Sequence, residues 1–203
     1  MRNVRKLFVS VGVIALLVTA RTASAATITF DDSFVDSLKG KLQLETTLVG
    51  SDIRVSLTAV NGNYGLFGDK PHDHAFGLNI NGEGVSISSI TPGFEWADGV
   101  GKEGGVTGNS LFEFRMAGPH NGADATLPLI FMVTRSGGFS SDLDLFENVD
   151  GFYATAHLID KISGAEGRVA ATDAPVPSAP VPEPATMVLL GSGLLAVFRA
   201  RKG

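Results

Sequence analysis

Two stretches of this 203-residue chain carry the residue types from which a chemical site is built. The first is Asp69-Lys70-Pro71-His72-Asp73-His74. Side chains two apart on a strand share a face, so His72 and His74 offer two imidazoles to one cation, as in many metal sites on β scaffolds. A zinc or iron site needs a further ligand, which His120, His157 or an acid can supply through folding. The alternative is a polar loop turned by Pro71, and both readings stay open. The second stretch runs from Asp142 to Asp150 and holds the carboxylates of Asp142, Asp144, Glu147 and Asp150. No cofactor is expected unless this run holds Ca²⁺, which hard oxygen ligands at near-alternating positions suit. The central glycine and terminal glutamate of an EF-hand are out of register, so a solvated acidic loop competes with the calcium site. Asp31-Asp32 is a lesser pair.

Other chemistries lose their residues one by one. There is no cysteine, which excludes disulfides, zinc ribbons, iron–sulfur clusters and a thiol nucleophile. No Gly-x-Ser-x-Gly elbow is present, and Gly191-Ser192-Gly193 lies in an apolar tail. Gly99-Val100-Gly101 and Gly104-Gly105 lack the following helix and Lys-Ser/Thr pair of a phosphate cradle. Glu95 and Glu113 are acids of the kind glycosidases pair, but a sandwich rim carries such acids anyway. Trp96 can stack on a sugar ring or pack on an edge. Thr27/Thr29 and Thr46/Thr47 are too few for an ice-binding face. No catalytic residue is assigned.

The elements that must position these residues read as strands. Leu42, Leu44, Thr46 and Leu48 alternate with Lys41, Gln43, Glu45 and Thr47, and Ile53, Val55, Leu57 and Ala59 alternate with Arg54, Ser56 and Thr58. Each pattern predicts a strand with one buried face, and Val49-Gly50-Ser51-Asp52 predicts a hairpin between them. Further strands are expected at 27–30, 74–80, 85–90, 111–116, 128–134, 152–158 and 167–171, separated by Gly and Asn punctuation such as Asn61-Gly62-Asn63. No helical period runs long enough to compete. The expectation is an all-β, antiparallel β-sandwich, jelly-roll-like or Ig-like, over residues 26–172. Its predicted core draws on Leu42, Leu44, Leu48, Ile53, Val55, Leu57, Phe76, Leu78, Ile80, Phe112, Phe114, Ile130, Met132, Phe152 and Leu158.

The two ends are of another kind. Arg2, Arg5 and Lys6 precede an apolar stretch from Leu7 to Ala20, and Ala23-Ser24-Ala25 makes the small-x-small exit that signal peptidase cuts. Residues 1–25 therefore read as a signal peptide cleaved between Ala25 and Ala26. Residues 173–181 form a proline-rich linker, expected extended and solvated. Residues 185–198 are uncharged and apolar, a helix of about 21 Å against a hydrocarbon core of about 30 Å. The following Arg199, Arg201 and Lys202 stop it on the cytoplasmic side, leaving the body outside. So short a span suits a temporary stop.

Charge separates the ends from the body. Seven of the 16 basic residues lie before Ala26 or after Phe198, leaving nine against all 21 acids between, a balance of −12. Such a body disfavours nucleic acid as a partner.

Pro182-Glu183-Pro184, the short apolar segment 185–198 and the terminal basic cluster, in that order, resemble the PEP-CTERM sorting tail. The resemblance covers residues 182–203, with Arg-Ala-Arg-Lys in place of an unbroken arginine run. It implies a protein exported by a Gram-negative bacterium, held transiently in the inner membrane, and processed near Pro182-Glu183-Pro184 by an exosortase. The same family is associated with exopolysaccharide producers. Phe152-Tyr153-Ala154-Thr155-Ala156-His157-Leu158, with Ile162-Ser163-Gly164 and Gly167–Ala171, is similar to the last hairpin of many β-sandwich proteins that carry such tails.

The expected function is thus an exported cell-surface or extracellular-matrix protein, a non-enzymatic structural or polysaccharide-associated sandwich. Its partners are exosortase, signal peptidase, the membrane through the tail helix, and exopolysaccharide or other envelope proteins. The alternatives are a metal-dependent glycan hydrolase or lyase using His72 and His74, a calcium-dependent carbohydrate-binding module and, last, an ice-binding module.

Overall fold

The computed structural model describes residues 25–68, 74–81, 84–97, 101–102, 107, 111–112, 114–118 and 127–177. The signal peptide before Ala25, His72 and the tail beyond Pro177 lie outside these residues. Among the described residues no helix is long and apolar enough to cross a membrane.

The described chain is mostly β-strand, and every strand pair in it is antiparallel. One sheet is assembled from β1 (Ala25–Thr29), β3 (Leu42–Val49), β4 (Asp52–Ala59), β7 (Val85–Ser88), β12 (Leu129–Arg135) and β15 (Val176–Pro177), in the order β15-β1-β3-β4-β12-β7. The second contains β2 (Asp32–Ser33), β6 (Phe76–Leu78), β8 (Glu95–Ala97), β11 (Phe114–Ala117), β13 (Ala154–Asp160) and β14 (Glu166–Ala171), in the order β2-β14-β13-β6-β11-β8. β5 (Tyr64–Leu66) pairs with β13 beyond the end of β6. A separate ribbon joins β9 (Gly101–Lys102) and β10 (Leu111–Phe112).

Alternation makes the first sheet one-sided. Leu42 and Leu44 of β3 and Ile53, Val55 and Leu57 of β4 are fully buried, while Gln43, Glu45 and Arg54 face solvent. These apolar faces meet those of Phe76, Leu78, Ala156, Leu158 and Val169 from the second sheet in one core. The Phe76 and Phe131 rings approach to 6.1 Å across it. Removing that much apolar surface from water is the dominant stabilising contribution, about 1.5–3 kcal/mol for each large side chain fully buried.

The β3–β4 hairpin turns at Gly50-Ser51, with Val49 opposite Asp52. Gly50 has φ +69° whereas Ser51 does not enter the left-handed region, the pattern of a type II′ turn whose twist matches the flanking strands.

One part of the predicted core is shifted by a residue. Ile130 and Met132 were expected inside; instead Leu129, Phe131 and Val133 are fully buried and Ile130 and Met132 lie on the outer face. Leu129-Ile130-Phe131-Met132-Val133 is apolar at both parities, so its own pattern cannot choose a face. Pairing chooses it: Leu129, Phe131 and Val133 stand opposite Leu57, Val55 and Ile53, whose inward side is unambiguous.

The second sheet is covered on both faces near β13. Ala154, Thr155 and Ala156 are all buried. A Cβ on Gly77 would stand 3.0 Å from Thr155 Cγ2 and 3.1 Å from Phe112 Cγ, so Phe112 packs over the outer face there.

Candidate functional site

Three places answer to the chemistry expected from the sequence: the root of the tail, the histidine stretch and the acidic run.

The root of the tail is built by the first and last strands of the body. Ala26 lies opposite Thr46 of β3 on one side and Pro177 of β15 on the other. Thr27 stands between Glu45 and Val176 in the same way. Proline has no N–H for a central ladder, so the linker joins the sheet at its edge, with both side chains exposed. Just inside this edge, Asp31 accepts hydrogen bonds from the Thr172 N–H (3.1 Å) and hydroxyl (2.9 Å). Ser33 Oγ donates to the Arg168 carbonyl at 2.9 Å. The body is therefore fastened to itself immediately before the linker departs. Because β15 is antiparallel to β1, it finishes with Pro177 at the end of the sheet at which Ala25 begins. Ala26 is fully buried, and its carbonyl accepts from the Thr46 hydroxyl at 3.5 Å. Ala23 and the motif residues Pro182, Glu183, Pro184, Arg199, Arg201 and Lys202 lie outside the described residues.

Of the two expected imidazole ligands, only His74 is described. It is 4% exposed. Its Nδ1 lies 3.3 Å from an Arg115 guanidinium nitrogen, and its backbone carbonyl accepts from Arg168 at 3.0 Å. His157 faces Arg168 across the β13–β14 ladder. Its ring packs edge-on against Phe67 at 4.9 Å, while its backbone joins Ala75 and Phe67. The surroundings of His74 are thus rich in arginine. A guanidinium beside an imidazole opposes a second cation by charge repulsion. Sequence reading did not bring Arg115 and Arg168 to this place. The β13–β14 register, readable from the Ile162-Ser163-Gly164 turn, contained the signal for Arg168.

The acidic run folds into a short 3-10 turn at Asp142–Leu145. Ser141 Oγ accepts from the Leu143 N–H, and Asp144 Oδ2 accepts from the Ser141 N–H at 3.0 Å, a reciprocal capping box. Asp144 Oδ2 also takes the Ser140 hydroxyl at 2.5 Å and its N–H at 3.2 Å. The Ser140 hydroxyl bond is the main cause holding the Asp144 carboxyl below the usual carboxylate range; the backbone bonds and the charge of Arg135 add to it against partial burial. Asp142 is fully buried, whereas Glu147 and Asp150 are exposed. The Asn81 N–H donates to the Leu145 carbonyl and the Glu147 N–H to the Asn79 carbonyl, which ties the run to the end of β6. Among the described residues, no three His, Asp or Glu side chains converge as a metal-holding group.

These observations define an antiparallel β-sandwich whose linker leaves from the edge of its first strand. The model of the PEP-CTERM protein-sorting motif matches residues 180–202, directly beyond that point. The motif implies export, transit through the membrane and exosortase processing at the cell envelope. No curated protein and no solved structure matches the chain.

Proposed function

We propose that the chain is a non-enzymatic surface protein: an exported, acidic β-sandwich that associates with polysaccharide at the envelope or in the extracellular matrix. The single observation that carries this reading is the sorting motif at residues 180–202, set two residues beyond the last described strand. An edge-paired linker root suits such a role because every described strand of the body lies before the sorting motif begins. The organism is a Gram-negative bacterium, and residues 185–198 lodge in its inner membrane with Arg199, Arg201 and Lys202 on the cytoplasmic side. Signal peptidase acts first, between Ala25 and Ala26, while that segment is still unpaired. Switches between the sheets from β1 to β2, β2 to β3, β4 to β5, β6 to β7, β7 to β8, β11 to β12, β12 to β13 and β14 to β15 favour a jelly-roll-like arrangement over an Ig-like one.

The test replaces Pro182, Glu183 and Pro184 together by alanine in cells. The expected result is an unprocessed C-terminus by mass spectrometry and loss of the protein from the outer envelope. Unchanged processing and location would refute the sorting half of the reading.

A further inference from the structure

One groove in the body belongs to neither the linker root nor the histidine stretch. It has a volume of about 400 Å³ and lies between the end of β4, the turn after it, the segment entering β12 and the turn after β13. That volume falls within the roughly 300–1,000 Å³ of small-ligand sites. We propose that this groove binds an acidic sugar residue of a polysaccharide. The inference rests on the polysaccharide association above and names the ligand class and the residues.

The floor and one wall are apolar. Tyr64 is 8% exposed and is joined in the lining by Ala59, Leu127 and Pro128. A pyranose ring has an apolar C–H face that such a surface, with an aromatic ring in it, can cover. The rim is polar and contributes the Thr58 hydroxyl, the Asn61 amide and the Lys161 ammonium. Asn61 Oδ1 accepts from the Asn63 N–H at 3.4 Å, which leaves its NH₂ group as the donor for a ligand.

Lys161 decides the charge of the ligand. It forms no ion pair among the described residues. The adjacent carboxylate is occupied elsewhere: Asp160 accepts from the Ile162 N–H at 2.9 Å and the Ser163 hydroxyl at 2.7 Å. Between Ala26 and Phe198, where 21 acids stand against nine bases, a lysine left available at the rim of a groove matches one anionic group. Beyond about 8 Å the surrounding acids are largely screened at physiological salt, so the local cation governs what docks.

The walls are held in place before any ligand arrives. The Lys161 N–H donates to the Asn63 carbonyl at 2.8 Å, linking the two turns. Tyr64 stands opposite Asp160 in the β5–β13 ladder, and the Val60 N–H donates to the Lys41 carbonyl at 2.9 Å. A groove that need not reorganise loses less affinity to ordering.

Titration calorimetry on the mature protein purified from the envelope would use an oligogalacturonate and its methyl ester as probes, with Lys161→Gln as the variant. Lys161 is exposed, so the substitution leaves the core untouched, and an unchanged melting temperature verifies this. The expected result is binding of the acid form, weakened about tenfold or more by Lys161→Gln and by esterification. Binding of the acid form that Lys161→Gln leaves unchanged overturns the groove assignment while polysaccharide association stands. Equal binding of ester and acid overturns the acidic class. Absence of binding to either probe overturns this inference; absence of binding to the organism's own isolated exopolysaccharide as well overturns the association beneath it.

Discussion

Asp31 and Thr172, 141 positions apart in sequence, are joined by two hydrogen bonds to the two oxygens of one carboxylate. The link between β1 and β2 and the residue after the last long strand are thereby closed on each other. Asp31→Ala removes both bonds and leaves the Thr172 N–H without its acceptor, at a cost of about 1–3 kcal/mol. Thr172→Val removes one bond and keeps the other, so it should cost less. Thermal unfolding followed by circular dichroism checks the order; equal melting temperatures for wild type and Asp31→Ala would contradict the clasp.

The capping box at Ser141 and Asp144 should make stability depend on acid pH. The folded Asp144 carboxyl titrates lower than in the unfolded chain, so the unfolded state takes up its proton first as pH falls. Its contribution is complete above the ordinary Asp value of about 3.9 and disappears as pH falls through the lower folded value. Asp144→Asn should therefore lower the melting temperature at pH 7, and the difference should shrink as pH falls below the ordinary Asp value of about 3.9. A constant difference between the two proteins across this range would reject the linkage. Ser141→Ala, which loses the other half of the box, should cost about 1 kcal/mol.

Gly138 has φ +71°, and a Cβ there would stand 2.6 Å from Ser51 Cβ and 3.2 Å from the Ser51 carbonyl oxygen. That same carbonyl accepts the Phe139 N–H at 2.8 Å, so it cannot move without loss. Gly138→Ala should destabilise by about 2 kcal/mol or more, combining left-handed strain with overpacking. A fall in the urea midpoint at unchanged slope is the expected signature. Gly40→Ala, with φ +67° and open space around its Cβ, should show only the smaller backbone cost.

The strand formed by Val176 and Pro177 should protect the linker root from proteolysis. Replacing both by glycine weakens the pairing with Ala26 and Thr27 while leaving the core untouched. Limited proteolysis should then cut within residues 173–177 rather than beyond them, at an unchanged melting temperature. Identical fragments from both proteins would show that the pairing contributes no protection.

Much of this architecture was legible where side chains alternate cleanly. The Leu42–Leu48 alternation falls on β3, and each of the other eight expected runs overlaps an observed strand. Alternation failed where both faces are apolar: β12 took its parity from β4, a partner far away in sequence. The two-residue strands β2, β9, β10 and β15 are too short to show a period by themselves and exist because a neighbouring edge accepts them. The sorting motif was legible because its parts are contiguous. The His74–Arg115 contact was not, since it joins residues 41 positions apart through pairing that local pattern does not encode. The groove around Lys161 eluded the sequence for the same reason: its turns are adjacent only after β5 pairs with β13.

The antiparallel seam between Val176-Pro177 and Ala26-Thr27 also has a mechanical meaning. A pull applied beyond Pro177 reaches this seam before it reaches the core. Two rungs can peel open and reclose like a short zip, releasing slack while the body stays folded. Only then does tension fall on the Asp31–Thr172 clasp, so the two contacts are loaded in sequence.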